Sequence, residues 1–100
     1  MKFGIADKSW RLILATIKEH SEVQEALLFG SRAMGNYKKG SDVDIALKGK
    51  KLNWKVVSDI SAELNERLPL PYFFDVVNVD SVEEQGVKDH IDQFGVPIFP

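Results

Sequence analysis

Asp42-Val43-Asp44-Ile45-Ala46-Leu47 is the stretch on which the fold of this 100-residue chain turns. On an extended strand successive side chains alternate, so Val43, Ile45 and Leu47 share one face while Asp42, Asp44 and Ala46 share the other. Gly49 closes the strand. Upstream, Glu25-Ala26-Leu27-Leu28-Phe29 is a short apolar run that ends at Gly30 and reads as a buried strand. Ser31-Arg32-Ala33-Met34 can start a short helix. Gly35-Asn36-Tyr37-Lys38-Lys39-Gly40-Ser41 is rich in turn formers and reads as an exposed loop.

Helices flank these strands. Trp10, Ile13, Leu14 and Ile17 follow amphipathic spacing from Asp7 to about His20, with Asp7 or Ser9 as N-cap. A second helix is expected over 54–68, capped by Asn53, with Val57, Ile60, Ser61, Leu64 and Leu68 on one stripe and Pro69 and Pro71 beyond its end. Tyr72 to Val79 reads as a strand. Ser81-Val82-Glu83-Glu84 has the form of a capping box and predicts a third helix, ended by Gly95. Val96-Pro97-Ile98-Phe99 adds a last short strand, which Pro97 places at an edge. The order predicts an α/β (α+β) domain with a small mixed sheet and helices packed mainly on one face. The length corresponds to one domain, residues 1–100.

The apolar fraction of 44% and charged fraction of 28% are those of a globular protein. A net charge of −2 gives no electrostatic support to non-specific nucleic-acid binding, so direct contact with DNA or RNA is not expected. The absence of cysteine excludes disulfides and thiolate metal sites and suits a reducing cytoplasm. Met1 to Asp7 lacks the apolar core of a signal peptide. The longest apolar runs fall far short of the ~20 residues a membrane span needs. A cytoplasmic location without membrane contact is the expectation.

The acidic face carries the chemistry. Residues i and i+2 on a strand lie roughly 6.5–7 Å apart on one face, near enough for Asp42 and Asp44 to reach one cation. Left alone, the two anions repel; a hard divalent ion relieves the repulsion, and oxygen ligands favour Mg²⁺ or Mn²⁺. Asp75 lies on another strand, and if the two strands pair directly it joins the cluster. Three carboxylates can then hold two metals, one activating an attacking hydroxyl and one neutralising a leaving pyrophosphate. Gly30 and Ser31 supply the other half, a strand-end turn whose backbone can approach a phosphate closely. Arg32, with Lys38 and Lys39, brings cations nearby.

Gly30-Ser31, ten intervening residues, then Asp42-Val43-Asp44 resembles the signature of the DNA polymerase β-type nucleotidyltransferase superfamily. Leu28 to Ala33, Ser41 to Leu47 and the closing Ile91 to Phe99 are similar to its minimal nucleotidyltransferase (MNT) branch. Met34 departs from the pattern, since members often carry a second arginine there. The resemblance implies a polymerase β-like fold and Mg²⁺-dependent transfer of a nucleoside monophosphate, AMP from ATP, onto a hydroxyl. It implies catalytic, metal-binding roles for Asp42, Asp44 and Asp75, and nucleotide contacts from Gly30, Ser31 and Arg32. It also implies a small helical HEPN-type partner in a toxin–antitoxin pair, whose tyrosine is the acceptor, and allows homo-oligomers.

A second class of function remains open: a non-catalytic antitoxin module that neutralises its partner by contact. Template-directed polymerisation fits neither the acidic pI of about 5.6 nor a sequence in which no template-binding domain is read. Elsewhere the plainer readings hold. Lys38 and Lys39 read as a solvated loop and Tyr37 as an exposed turn aromatic. His20 and His90 lack any partner at metal-ligand spacing and are expected at the surface or at helix ends. Asp80 reads as a helix-start residue. Trp10 and Trp54 fall on apolar stripes and are expected in a core or an interface.

Overall fold

The computed structural model describes residues 1–100 and forms a four-stranded sheet from Glu25–Phe29 (β1), Val43–Lys48 (β2), Phe74–Asn78 (β3) and Val96–Phe99 (β4). The strand order is β3-β2-β1-β4. β1 is antiparallel to both β2 and β4, whereas β2 and β3 run parallel. A parallel pair needs a crossover, and the segment between β2 and β3 supplies it as a helix. The sheet is mixed, as the pattern predicts, and β4 with Pro97 lies at an edge.

The helices are Asp7–Lys18 (α1), Gly30–Met34 (α2), Trp54–Ala62 (α3) and Gln85–Phe94 (α4). Ile13 and Ile17 of α1, Val56 and Ile60 of α3, and Leu64 pack with Ala26, Leu28, Val43, Ile45, Leu47 and Phe74 in the main core. This is the apolar face of the alternation in β2. The opposite face is less open than expected. α4 lies against part of it, with Ile91 packed on Phe29 and Ala46. The acidic residues occupy what α4 leaves uncovered.

Several boundaries move, each for a local reason. Ala6, in extended conformation, is the N-cap of α1 and makes no side-chain cap bond. Asp7 instead sits in the first turn, where its charge complements the helix dipole, and Ser9 is buried. α3 is capped as predicted, with Asn53 Oδ1 accepting from the Val56 N–H at 3.1 Å. It widens into a π-turn over Glu63–Arg67, which carries Asn65 to the start of β3. There the Asn65 amide donates to the Phe74 carbonyl at 3.0 Å, and its Oδ1 accepts from the Phe74 N–H at 2.8 Å. One side chain thus continues the ladder beside β3.

The capping box at Ser81 does not open a helix. Asn78 Oδ1 accepts from the Asp80 N–H at 3.1 Å and closes a 3₁₀ turn over Val79–Ser81. Val82 is extended, and α4 begins only after Glu84. The Asn side chain competes for the backbone one step earlier than the serine would. Of the two tryptophans expected in a core or an interface, Trp54 lies outside the core, being 81% exposed at the start of α3, whereas Trp10 packs edge-on to Phe3 against the core. No helix is long and apolar enough to cross a membrane.

Candidate active site

The register of β2 assembles the site. Asp44 pairs with Phe29 of β1 on one side and with Asp75 of β3 on the other. Residues paired across adjacent strands point to the same face, so the two carboxylates share the face that α4 leaves uncovered. Asp42 lies just before the first residue of β2, exposed, and one strand repeat from Asp44. Val43 starts the strand by donating to the Phe73 carbonyl at 2.8 Å.

Electrostatics single out the central acid. The Asp44 carboxyl is raised from 3.8 to about 6, first by burial and then by the neighbouring anions of Asp75 and Asp42, with Arg32 opposing. Like charges on one face disfavour ionisation of the most buried member. No three acids close on a common point. The oxygens of these carboxylates are nonetheless the donor type that suits a hard divalent cation, and Asp44 is destabilised in its charged form.

Gly30 makes this arrangement possible. It follows Phe29 at the end of β1 with φ +77° and begins α2. A Cβ built there would overlap the Asp44 carboxylate. Glycine is therefore required twice, for the left-handed backbone and for the close approach. Its own N–H is engaged, donating to His90 Nε2 at 2.8 Å. Ser31 is half-buried beside it in the first turn of α2.

Arg32 turns inward. It is 3% exposed, with Nε and Nη2 donating to the Ser41 carbonyl at 3.1 and 2.7 Å and Nη1 donating to the Phe3 carbonyl at 3.0 Å. Its guanidinium carbon lies 5.3 Å from the ring centroids of both Tyr37 and Tyr72. Carbonyl dipoles and aromatic faces together solvate a charge removed from water. Tyr37, expected as a plain turn aromatic, is one wall of this clamp. Lys38 and Lys39 remain exposed. Arg32 thereby ties the N-terminal segment to the end of the 35–41 loop, immediately before Asp42.

Sequence reasoning brought Asp42, Asp44, Asp75, Gly30 and Ser31 together, and the structure sets them at one end of the sheet. It missed His90, which a lone histidine on an amphipathic helix does not betray. Its ring stands edge-on to Phe29 and tilted against Phe94. Spacing four residues before the helix-ending Phe94 was the one available hint of a shared face.

The family model described as polymerase beta, nucleotidyltransferase matches residues 12–100. No curated protein sequence matches the chain. Among solved structures, it is similar to a chain of a toxin–antitoxin with AMP-PNP, at TM-score 0.73 and 21% identity, covering 90% of this chain and 72% of that one. A chain of the toxin–antitoxin MntA-HepT gives TM-score 0.69 and 18% identity, covering 94% and 72%. A chain of the tri-AMPylated Shewanella oneidensis HEPN toxin in complex with MNT antitoxin gives 0.68 and 18%, covering 92% and 70%. At these identities the structural likeness establishes the fold, and the sequence model adds the family. The chain belongs to the polymerase beta nucleotidyltransferase family.

Proposed function

We propose that the chain is a Mg²⁺-dependent adenylyltransferase that moves AMP from ATP onto a hydroxyl, the acceptor being a tyrosine of a HEPN-type helical partner. The observation that carries this reading is the register Phe29–Asp44–Asp75, which sets a glycine turn and two carboxylates side by side. The partner and the nucleotide are supported by the similar folds seen in a toxin–antitoxin with AMP-PNP and in a complex with a tri-AMPylated HEPN toxin.

Asp42 and Asp44 would hold the cation, with Asp75 opposite Asp44 on the neighbouring strand. When bound, Mg²⁺ neutralises the triphosphate and the departing pyrophosphate. Asp75, exposed opposite Asp44, takes the proton of the acceptor hydroxyl. The hydroxyl oxygen bonds to the α-phosphorus, the bond from that phosphorus to the bridging oxygen breaks, and pyrophosphate leaves with the electron pair. Gly30 lets the Asp44 carboxylate lie against the turn, and Ser31, whose amide lacks an intrahelical acceptor, faces the phosphates. Arg32 is a positioning residue in this reading. Its guanidinium holds Ser41, and hence Asp42, in place rather than meeting the phosphates.

ATP with Mg²⁺ should raise the melting temperature, and Asp42→Asn combined with Asp44→Asn should abolish the rise. Label from α-³²P-ATP should appear on the helical partner with the native chain and not with the double variant. A melting shift that survives both substitutions would sink the site assignment. Neutralisation of the partner by the double variant without label transfer would instead favour inhibition by contact.

A further inference from the structure

The Gly30 amide faces a side chain sixty positions away, His90 on α4, whose Nε2 accepts it at 2.8 Å. Only an imidazole lacking a proton on Nε2 can accept there, so the ring carries its proton on Nδ1. Two aromatic neighbours hold the ring, Phe29 at 6.1 Å edge-on and Phe94 at 5.2 Å tilted. Phe29 is also the residue paired with Asp44. His90 therefore reaches both ends of the Phe29–Gly30 peptide, one by packing and the other by a hydrogen bond.

That peptide leads into the Gly30 α-carbon, whose open side is where the Asp44 carboxylate rests. A glycine places almost no steric restraint on its own rotation. Its orientation has to come from outside, and the bond to His90 supplies it. With the Gly30 N–H directed at α4, the next amide along the turn, that of Ser31, is left for a ligand.

We propose that His90 is a positioning residue of the nucleotide site: by accepting the Gly30 N–H it orients the Phe29–Gly30 peptide, which seats Asp44 and presents Ser31 to the phosphates. The inference rests on the nucleotidyltransferase reading above. The competing role, a ring that merely fills space between Phe29 and Phe94, makes the opposite prediction for two substitutions. His90→Gln keeps an acceptor at similar reach and loses the ring. His90→Phe keeps the ring and loses the acceptor.

Affinity for ATP–Mg²⁺ by calorimetry, and hydrogen exchange of the Gly30 amide by NMR in the metal-free protein, decide between them. Positioning predicts that His90→Gln binds within about twofold of the native chain, while His90→Phe binds on the order of tenfold more weakly, the scale of one lost part-buried hydrogen bond. The Gly30 amide should exchange faster in His90→Phe than in His90→Gln. The reverse order in either measurement, or equal weakening in both variants, overturns the proposal. A native chain that fails to bind ATP–Mg²⁺ overturns the nucleotidyltransferase reading instead, and the exchange order of Gly30 still decides whether His90 orients the turn.

Discussion

Asp44 and Asp75 stand directly opposite each other on neighbouring parallel strands, with their carboxylates on one face of the sheet. Nothing in the fold of a small sheet calls for that pairing, and repulsion across it weakens the strands. Burial and the two neighbouring anions push Asp44 up to about 6 from 3.8. A carboxyl raised in the folded state stabilises the fold while protonated, fully so below its unfolded value, and that contribution is lost as pH rises through the folded value.

The metal-free protein should therefore lose stability relative to its Asp44→Asn variant as pH rises from 3.8 to about 6, the window between the two values for Asp44. Thermal melts of both proteins across that range give the difference directly. Saturating Mg²⁺ should restore the native chain at pH 7 and leave the variant unchanged. Mg²⁺ affinity should fall as pH drops below about 6, because the proton and the cation compete for the same oxygens.

Gly30→Ala tests the close approach at the turn. An L-residue in the left-handed region costs about 1–2 kcal/mol, and its methyl would also displace the Asp44 carboxylate. The variant should fold with a lowered melting temperature and lose the ATP–Mg²⁺ shift. A shift of native size would show that Asp44 need not sit against the turn.

Arg32→Met should destabilise the fold by about 3 kcal/mol in urea unfolding, because part-buried carbonyls of Ser41 and Phe3 lose a charged donor. Arg32→Lys should rescue little of this, since an ammonium cannot fork onto one carbonyl while reaching a second. Both variants should also weaken metal binding, as Ser41 immediately precedes Asp42.

Asn65→Leu probes the side-chain ladder at β3. It leaves the Phe74 N–H and carbonyl without their partners, at a cost of roughly 2–4 kcal/mol for two part-buried groups. Asn65→Asp keeps the acceptor and loses the donor, so its melting temperature should fall between those of the native chain and the leucine variant.

The legible parts of this molecule were those that local chemistry decides. Alternation at Asp42–Leu47 announced both a strand and its two unlike faces, because the side-chain period of a strand is two. Asn53 announced the start of α3, and Pro97 the edge position of β4, because a cap and a missing N–H act within a few residues. The start of α4 was misread where two local signals competed, and the Asn78 side chain closed its turn ahead of the Ser81 box. The π-turn at Glu63–Arg67 was invisible for a different reason, since its Asn65 is held by both backbone groups of Phe74, nine residues on, as well as by Ser61 of its own helix.

By itself, then, the sequence determined that two acids share a strand face beyond a glycine turn, because spacing along a chain sets which side chains point together. Only the tertiary structure decided which strand lies beside Asp44, that Arg32 faces inward between two tyrosines, and that His90 meets Gly30. These are pairings between distant segments. They depend on how the sheet orders its strands and where α4 comes to rest, and no local period encodes either.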